Sequence, residues 1–135
     1  METGNGKWRY TLPTHVVRAF SQAMIEIFEG RGVNVRYEPY KKNQSMLVTG
    51  MKKLEFIPLL PEEFYSPIII SFCYPEGTNF TFKKFYLALK KNEHVIYPGK
   101  ISKANTFRIG NIGDVYEADI TGLLEEVHKC VKTRA

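Results

Sequence analysis

The middle of the chain carries two short apolar segments, and longer stretches with helical periodicity lie on either side of them. Residues 56–60 and 68–74 are rich in aromatic and β-branched side chains, a composition typical of short strands. Four prolines interrupt or flank these segments: Pro58, Pro61, Pro67 and Pro75. Strands that follow each other through such short links favour antiparallel pairing, so the sequence predicts a small antiparallel sheet.

The N-terminal part of the chain predicts an extended arm followed by two helices. Residues 1–12 lack a regular period, and we expect them to form an arm that leads into one domain spanning residues 13–135. Apolar side chains recur at helical spacing from Pro13, which suits the first turn of a helix, to Gly30. A second helical pattern follows, and Pro39 must lie in its first turns or kink it.

The remaining elements continue this mixture of helices and strands. Further helices are predicted over residues 80–91 and 115–132, and further strands over residues 95–97 and 106–109. In this order, the strands follow each other in pairs through short links, which favours antiparallel pairing. The sequence therefore predicts an α+β fold, in which helices cover a small and largely antiparallel sheet.

Charge and cysteine content exclude several classes of protein. The 135 residues carry 19 basic and 14 acidic side chains, a formal net charge of +5. The lysines occur in pairs among acidic residues, which indicates solvated helix faces rather than a nucleic-acid surface. Cys73 and Cys130 are too few for a disulfide framework and lack metal-ligand spacing, so we expect no metal site. No apolar stretch is long enough to span a bilayer and no secretory signal is visible, which predicts a cytoplasmic protein without membrane contact.

Arg108 is the candidate binding residue that the residue pattern singles out. Side chains alternate across a strand, so Phe107 and Ile109 are expected to share the buried face while Arg108 projects from the other face. An arginine held on a strand can bind a planar carboxylate or a phosphonate through two parallel hydrogen bonds. The alternative is a surface arginine paired with a neighbouring acidic side chain, and the pattern leaves both open.

The segment after this strand reads Gly110-Asn111-Ile112-Gly113. A phosphate-binding turn is one interpretation of its glycines. We favour a tight strand-to-helix turn, because Asp114 and Glu117 would repel an anion there and have the spacing of a capping box for the last helix. The three histidines are scattered along the chain, so we expect structural or exposed roles for them.

Two parts of the chain resemble a known enzyme family. Residues 2–20, ETGNGKWRYTLPTHVVRAF, are similar to the segment that opens the last third of 2-aminoethylphosphonate–pyruvate transaminases. Residues 96–100 and 106–114 resemble the end of the same enzymes, and motifs such as Leu60-Pro61 keep the family's order between them. The resemblance covers nearly the whole chain. It implies the C-terminal small domain of a class V, fold-type I aminotransferase.

This resemblance implies a pyridoxal-phosphate enzyme that moves the amino group of 2-aminoethylphosphonate to pyruvate, which yields phosphonoacetaldehyde and alanine. The family's Schiff-base lysine and most of its phosphate site lie in a large domain that precedes the resembling part. We therefore expect no catalytic residue in this chain, and no activity from the chain alone. By resemblance, Arg108 binds the anionic end of the substrate, Thr11 contributes to the cofactor phosphate of the neighbouring subunit, and Trp8 lines the same pocket.

The resemblance also implies the partners of the chain, namely the large domain of the same enzyme and a second subunit in a homodimer. An alternative of a different class is a stand-alone, non-catalytic module that docks on a large-domain partner chain. Pro39, where the family has an uninterrupted helix, and Glu55, where a glycine usually ends one, depart from the family pattern. Both departures concern local backbone shape rather than the predicted site.

Overall fold

The structure is a computed structural model that describes residues 10–30, 32–76, 80–99 and 104–132. The described part contains four α-helices: α1 (Thr14–Glu29), α2 (Val33–Lys53), α3 (Phe82–Lys91) and α4 (Glu117–Lys132). It contains three strands: β1 (Ile69–Cys73), β2 (Tyr97–Pro98) and β3 (Thr106–Gly110). One turn of 3-10 helix, Glu62–Phe64, precedes β1.

The chain divides into two compact units, Met1–Arg36 and Tyr37–Ala135. The second unit contains all three strands together with α3 and α4. The predicted arm of residues 1–12 lies almost entirely outside the described residues, so the domain boundary after residue 12 stays a prediction.

The sheet of the second unit is small and antiparallel. β3 is its middle strand and pairs antiparallel with β1 on one side and with β2 on the other. In the longer ladder Ile70 lies opposite Ile109, and Phe72 lies opposite Phe107. The sheet is antiparallel throughout and occurs together with helices, so the predicted α+β fold with a small antiparallel sheet is confirmed.

One face of the sheet forms the centre of the hydrophobic core. Successive strand residues point to opposite faces, and the core face carries Ile70, Phe72, Phe107 and Ile109, each at most 3% exposed. Most of the other buried apolar residues come from the helices: Leu47, Val48 and Met51 from α2, Phe85 and Leu89 from α3, and Ile120, Leu123 and Val127 from α4. Phe56 and Ile96, which lie outside the helices, complete the core. The opposite face of the sheet is consequently left for other contacts.

The strand predicted over residues 56–60 is wrong. The structure has a single antiparallel bridge there, between Pro58 and Phe72, and no regular strand. The flanking residues do lie along β1, since the Leu59 amide donates to the Ser71 carbonyl at 2.9 Å and the Cys73 amide donates to the Ile57 carbonyl at 2.8 Å. These two bonds make Pro58 and Phe72 a non-hydrogen-bonded pair, a position in which the missing amide hydrogen of proline costs no ladder bond.

The last helix begins two residues later than predicted, and its capping differs. The Tyr116 amide donates to the Asp119 carboxylate at 2.7 Å, and the Tyr116 carbonyl accepts the first helical bonds of α4. The predicted pair of Asp114 and Glu117 is thus replaced by Tyr116 and Asp119, which have the same spacing. Asp114 instead accepts a hydrogen bond from the Tyr116 hydroxyl, and this bond raises the pKa of Tyr116.

Glu55 and Glu93 occupy helix ends that normally carry glycine. Each has a φ of 66°, in the left-handed region that disfavours residues with a β-carbon. At the end of α2 the Phe56 amide donates to the Met51 carbonyl at 3.0 Å, and the Glu55 amide donates to the Lys52 carbonyl at 3.1 Å. This pair of bonds is the Schellman motif, and α3 ends in the same way around Glu93. The departure that Glu55 shows from the family pattern therefore leaves the backbone motif intact.

Glycine at either of these two positions is expected to stabilise the folded chain. Glu55→Gly and Glu93→Gly should each raise the free energy of unfolding by about 0.5–1 kcal/mol, because relief of left-handed strain exceeds the entropy that glycine loses. Urea unfolding followed by circular dichroism measures the change. Alanine at the same positions keeps the β-carbon and should give no gain, so equal stabilisation by alanine would contradict the strain argument.

The first unit presents an apolar helix face to its surroundings. No residue of α1 is buried, and five large apolar side chains of this helix are exposed: Val16, Val17, Phe20, Ile25 and Phe28. The helix ends at Glu29, as the glycines after it predict.

Pro39 lies inside α2, beyond its first turn, and the helix continues without a break around it.

Candidate functional site

Arg108 lies at the middle of β3, the central strand of the sheet. Its neighbours Phe107 and Ile109 are 0% and 2% exposed on the core face, while Arg108 itself is half-buried. The alternation predicted from the sequence therefore holds, and Arg108 projects from the face opposite the core. A strand with partners on both sides provides a rigid base for this long side chain.

A cleft of about 240 Å³ opens on this outer face of the sheet. Leu60, Phe64 and Tyr65, which lie around the 3-10 helix, line it together with Ser71 from β1. Arg108 is the one charged side chain among the described residues that line it. A guanidinium at the edge of a largely apolar cleft is suited to hold the anionic end of a small molecule whose remainder packs against apolar side chains.

The register of the sheet places two hydroxyl side chains beside Arg108. Ser71 of β1 and Tyr97 of β2 are its direct cross-strand partners. Directly opposite residues of an antiparallel pair share a face, and their β-carbons lie about 4.5–5.5 Å apart. Sequence reasoning missed both residues, because cross-strand register cannot be read from a single strand pattern. Serine, arginine and tyrosine thus form a row of hydrogen-bond donors on the outer face.

Arg108 has no acidic partner within the part of the chain that the structure describes. The ion pairs there join Lys42 with Glu117, Lys52 with Glu62, and Lys129 with Glu126. The interpretation of Arg108 as one half of a surface ion pair consequently has no support among the described residues. Its positive charge is left available to a ligand.

The stem of Arg108 lies against the backbone of Gly99, the residue after β2. A β-carbon placed at Gly99 would lie 2.9 Å from Cγ of Arg108 and 3.2 Å from its Nε. Nε is buried and has no hydrogen-bond acceptor among the described residues. The sequence shows the motif of residues 96–100 that contains Gly99. The contact of Gly99 with Arg108 could not be predicted from it, because that contact depends on the pairing of β2 with β3.

Buried hydrogen bonds of Asn111 hold the turn after β3. Asn111 is fully buried, and its side-chain amide donates to the carbonyls of Tyr40 and Pro67, both at 3.0 Å. Its backbone amide donates to the Ile68 carbonyl at 2.9 Å. These bonds connect the end of β3 to α2 and to the segment before β1. Gly113 has a φ of 102°, in the left-handed region that favours glycine.

The other predicted site residues lie in the N-terminal part of the chain. Thr11 is exposed, belongs to the first unit and precedes α1. Trp8 lies outside the described residues. The structure therefore assigns the predicted residues to different units, Thr11 to the first and Arg108 to the second.

The described ranges contain neither a candidate membrane span nor a candidate metal site. No helix there is long and apolar enough to cross a membrane. No group of three or more histidine, cysteine, aspartate or glutamate side chains in that part of the chain could hold a metal ion.

Comparison with known sequences gives close relatives. No family model matches the chain. It is 57% identical over 129 residues to a 2-aminoethylphosphonate–pyruvate transaminase from Bacteroides fragilis, which covers 96% of this chain and 35% of the relative. It is 56% identical over 131 residues to the protein of the same name from Bacillus thuringiensis, covering 97% of this chain and 36% of the relative. The chain spans about a third of the length of these relatives and corresponds to their C-terminal portion.

Solved structures with a similar fold include aminotransferases. Alanine–glyoxylate aminotransferase from Nostoc sp. superposes with a TM-score of 0.76 at 18% identity, over 93% of this chain and 33% of that one. Aspartate aminotransferase from Thermus thermophilus gives a TM-score of 0.61 at 18% identity, over 73% of this chain and 27% of that one. At this identity the likeness concerns the fold, and it agrees with the small α+β domain described above.

Proposed function

We propose that this chain, which is homologous to the C-terminal portion of 2-aminoethylphosphonate–pyruvate transaminases, is the small-domain portion of such an enzyme. The complete enzyme would transfer the amino group of 2-aminoethylphosphonate to pyruvate, yielding phosphonoacetaldehyde and alanine. The observation that carries the proposal is an identity of 56–57% that extends over 96–97% of the chain. The role of this portion is to complete the substrate site rather than to perform the chemistry.

Arg108 is the residue proposed to bind substrate. Both substrates carry an anionic end, a phosphonate in one and a carboxylate in the other, and each suits two parallel hydrogen bonds from a guanidinium. The position of Arg108 in an open cleft, with no acidic partner among the described residues, supports this role. Binding the anionic end orients the rest of the substrate and excludes water from the apolar part of the cleft.

Pyridoxal phosphate is the proposed cofactor, and when bound it supplies the electron sink for amino transfer. A large domain that this chain does not span would hold most of it, including the lysine that attaches it. From this chain, the exposed hydroxyl of Thr11 fits a hydrogen bond to the cofactor phosphate of the neighbouring subunit. Trp8 would line the same pocket. Thr11 and Trp8 would therefore form only one edge of the cofactor site, and the large domain would form the rest.

The apolar face of α1 is the surface we propose for packing against the large domain of the same enzyme. Phe20 and Phe28 on this helix are 65% and 73% exposed, which is unusual for side chains of this size. The relatives contain nearly twice as much additional chain as the portion matched here, enough for a domain that covers this face. A homodimer of the complete enzyme would bring Thr11 to the neighbouring cofactor site.

A chimeric enzyme tests the proposed function. The C-terminal portion of the Bacteroides fragilis relative is replaced by this chain, and alanine formation from 2-aminoethylphosphonate and pyruvate is measured. We expect an active enzyme with bound cofactor, and no alanine from this chain alone. A folded chimera that binds the cofactor but forms no alanine would contradict the proposal. It would favour the alternative, a non-catalytic module that docks on a large-domain partner chain.

Arg108→Lys in this chimera is expected to weaken substrate use and leave cofactor retention unchanged. Lysine keeps the positive charge but cannot form the two parallel hydrogen bonds of a guanidinium, so the KM for both substrates should rise by about tenfold or more. Steady-state kinetics and the visible absorption of the cofactor measure the two effects. Arg36→Lys, at an exposed position of α2, serves as the matched control. Unchanged KM values would rule out the role proposed for Arg108.

A further inference from the structure

Gly99 is the residue on which the side chain of Arg108 rests. A β-carbon at this position would approach Cγ of Arg108 to 2.9 Å, Nε to 3.2 Å and Cδ to 3.4 Å. Carbon atoms in protein interiors settle at separations of about 3.5–4.0 Å, so any side chain at this position would displace the stem of Arg108. Only glycine allows the arginine to lie in its observed place.

Two hydrogen bonds hold Gly99 against β3. The Thr106 hydroxyl donates to the Gly99 carbonyl, and the Gly99 amide donates to the Thr106 carbonyl at 3.2 Å. Thr106 is 1% exposed, so these bonds lie away from solvent. The backbone beneath Arg108 is therefore fixed to the strand that carries Arg108 itself.

The contact with Gly99 also determines which edge of the guanidinium a ligand can reach. Nε is the nitrogen of Arg108 that is both buried and without an acceptor among the described residues. An anion that approached side-on would need Nε together with one terminal nitrogen. Since Nε is buried beside Gly99, the pair of donors left for an anion is the two terminal Nη groups.

We propose that Gly99 is a positioning residue for Arg108, and that it makes Arg108 bind the substrate's phosphonate or carboxylate end-on through its two Nη groups. This inference rests on the proposed function, because it assigns the binding geometry of the same site. Gly99 itself does not touch substrate. It acts through the side chain that it supports, and Thr106 holds it in place.

Gly99→Ala in the full chain tests the positioning directly. Hydrogen exchange of the Arg108 Nε–H, measured by ¹H–¹⁵N NMR, should be slow in the unchanged chain and about tenfold faster in the variant, because the displaced stem exposes Nε. Gly110→Ala is the matched control, since a β-carbon there would meet only the Ile68 carbonyl oxygen at 3.7 Å. It should leave the exchange rate unchanged. Equal exchange in the Gly99→Ala and unchanged chains overturns the proposal.

Two further measurements separate this proposal from the proposed function. In the chimeric enzyme Gly99→Ala should raise the KM for both substrates by about tenfold while cofactor content stays constant. Faster Nε exchange with unchanged KM would uphold the contact but overturn end-on substrate binding by Arg108.

If Gly99→Ala fails to fold, Thr106→Val removes the hydrogen bond from the Thr106 hydroxyl to the Gly99 carbonyl and should also speed exchange of the Arg108 Nε–H, whereas Thr106→Ser should not. An unchanged rate in Thr106→Val would then count against the proposal.

Discussion

Replacing Phe107 by alanine is expected to lower the free energy of unfolding by about 3–5 kcal/mol. Phe107 is completely buried at the middle of the central strand. Its ring centroid lies 5.4 Å from that of Phe85, 5.6 Å from that of Phe56 and 5.8 Å from that of Phe72. Phe85 comes from α3, Phe72 from β1 and Phe56 from the segment after α2. Truncation at Phe107 would therefore leave a cavity at the point where these elements meet.

Such a loss is a large part of the stability of an ordinary domain, which is about 5–15 kcal/mol. Urea unfolding, or thermal unfolding if the variant is only marginally folded, measures it. Phe28→Ala provides the matched control, because Phe28 is 73% exposed and its loss should change stability by no more than about 0.5 kcal/mol. Equal effects of the two truncations would mean that the aromatic cluster around Phe107 is not the core of the fold.

Asn111→Asp is expected to destabilise the chain by about 3–5 kcal/mol at neutral pH, although the two side chains have nearly the same shape. The Asn111 amide donates to the carbonyls of Tyr40 and Pro67, both at 3.0 Å, inside a fully buried site. An aspartate there would turn a negatively charged oxygen toward these two carbonyl oxygens. Both acceptors would lose their donor, and a buried charge would remain without a partner.

The same substitution should make stability depend on pH. Burial and the facing carbonyls would raise the pKa of the new carboxyl in the folded state above its value in the unfolded chain. The folded state would then bind more protons than the unfolded state between those two values, so stability must fall as pH rises through this window. Part of the loss should therefore be recovered in acid. Unfolding curves between pH 4 and about pH 7 measure this slope.

Asn34→Asp is the control for both effects, since Asn34 is exposed in α2. It should change stability by no more than about 0.5 kcal/mol and add little pH dependence. A variant at Asn111 that behaves like the one at Asn34 would show that the two carbonyl contacts do not hold the turn after β3.

The elements that could be predicted are those with a strong local period. The helix after Pro13, the strands around Phe72 and Phe107, and the helix around Leu123 all occur where their apolar spacing indicates. The spacing of apolar residues reflects which side of an element faces the core, and that requirement acts within each element separately. For the same reason the outward direction of Arg108 followed from its two neighbours in the strand.

The errors arose where a local pattern competes with a neighbouring segment. Residues 56–60 have the composition of a strand, but their pairing with β1 consists of one bridge, between Pro58 and Phe72. The last helix could begin at either of two residue pairs with the same spacing, and the structure uses Tyr116 and Asp119 rather than Asp114 and Glu117. Composition and spacing describe what each segment can do, whereas the neighbouring segments select among these possibilities.

By itself the sequence determined the fold class, the core-facing residues and a candidate anion-binding arginine, because each depends on local periodicity or on a short motif. The tertiary structure alone decided that Ser71 and Tyr97 flank Arg108, that Gly99 lies beneath its stem, and that Asn111 joins β3 to α2. These contacts depend on strand register and on atoms that meet across long sequence separations. A shift of one residue in register would move every side chain of a strand to the other face of the sheet. The sequence of a single segment does not determine which register is adopted.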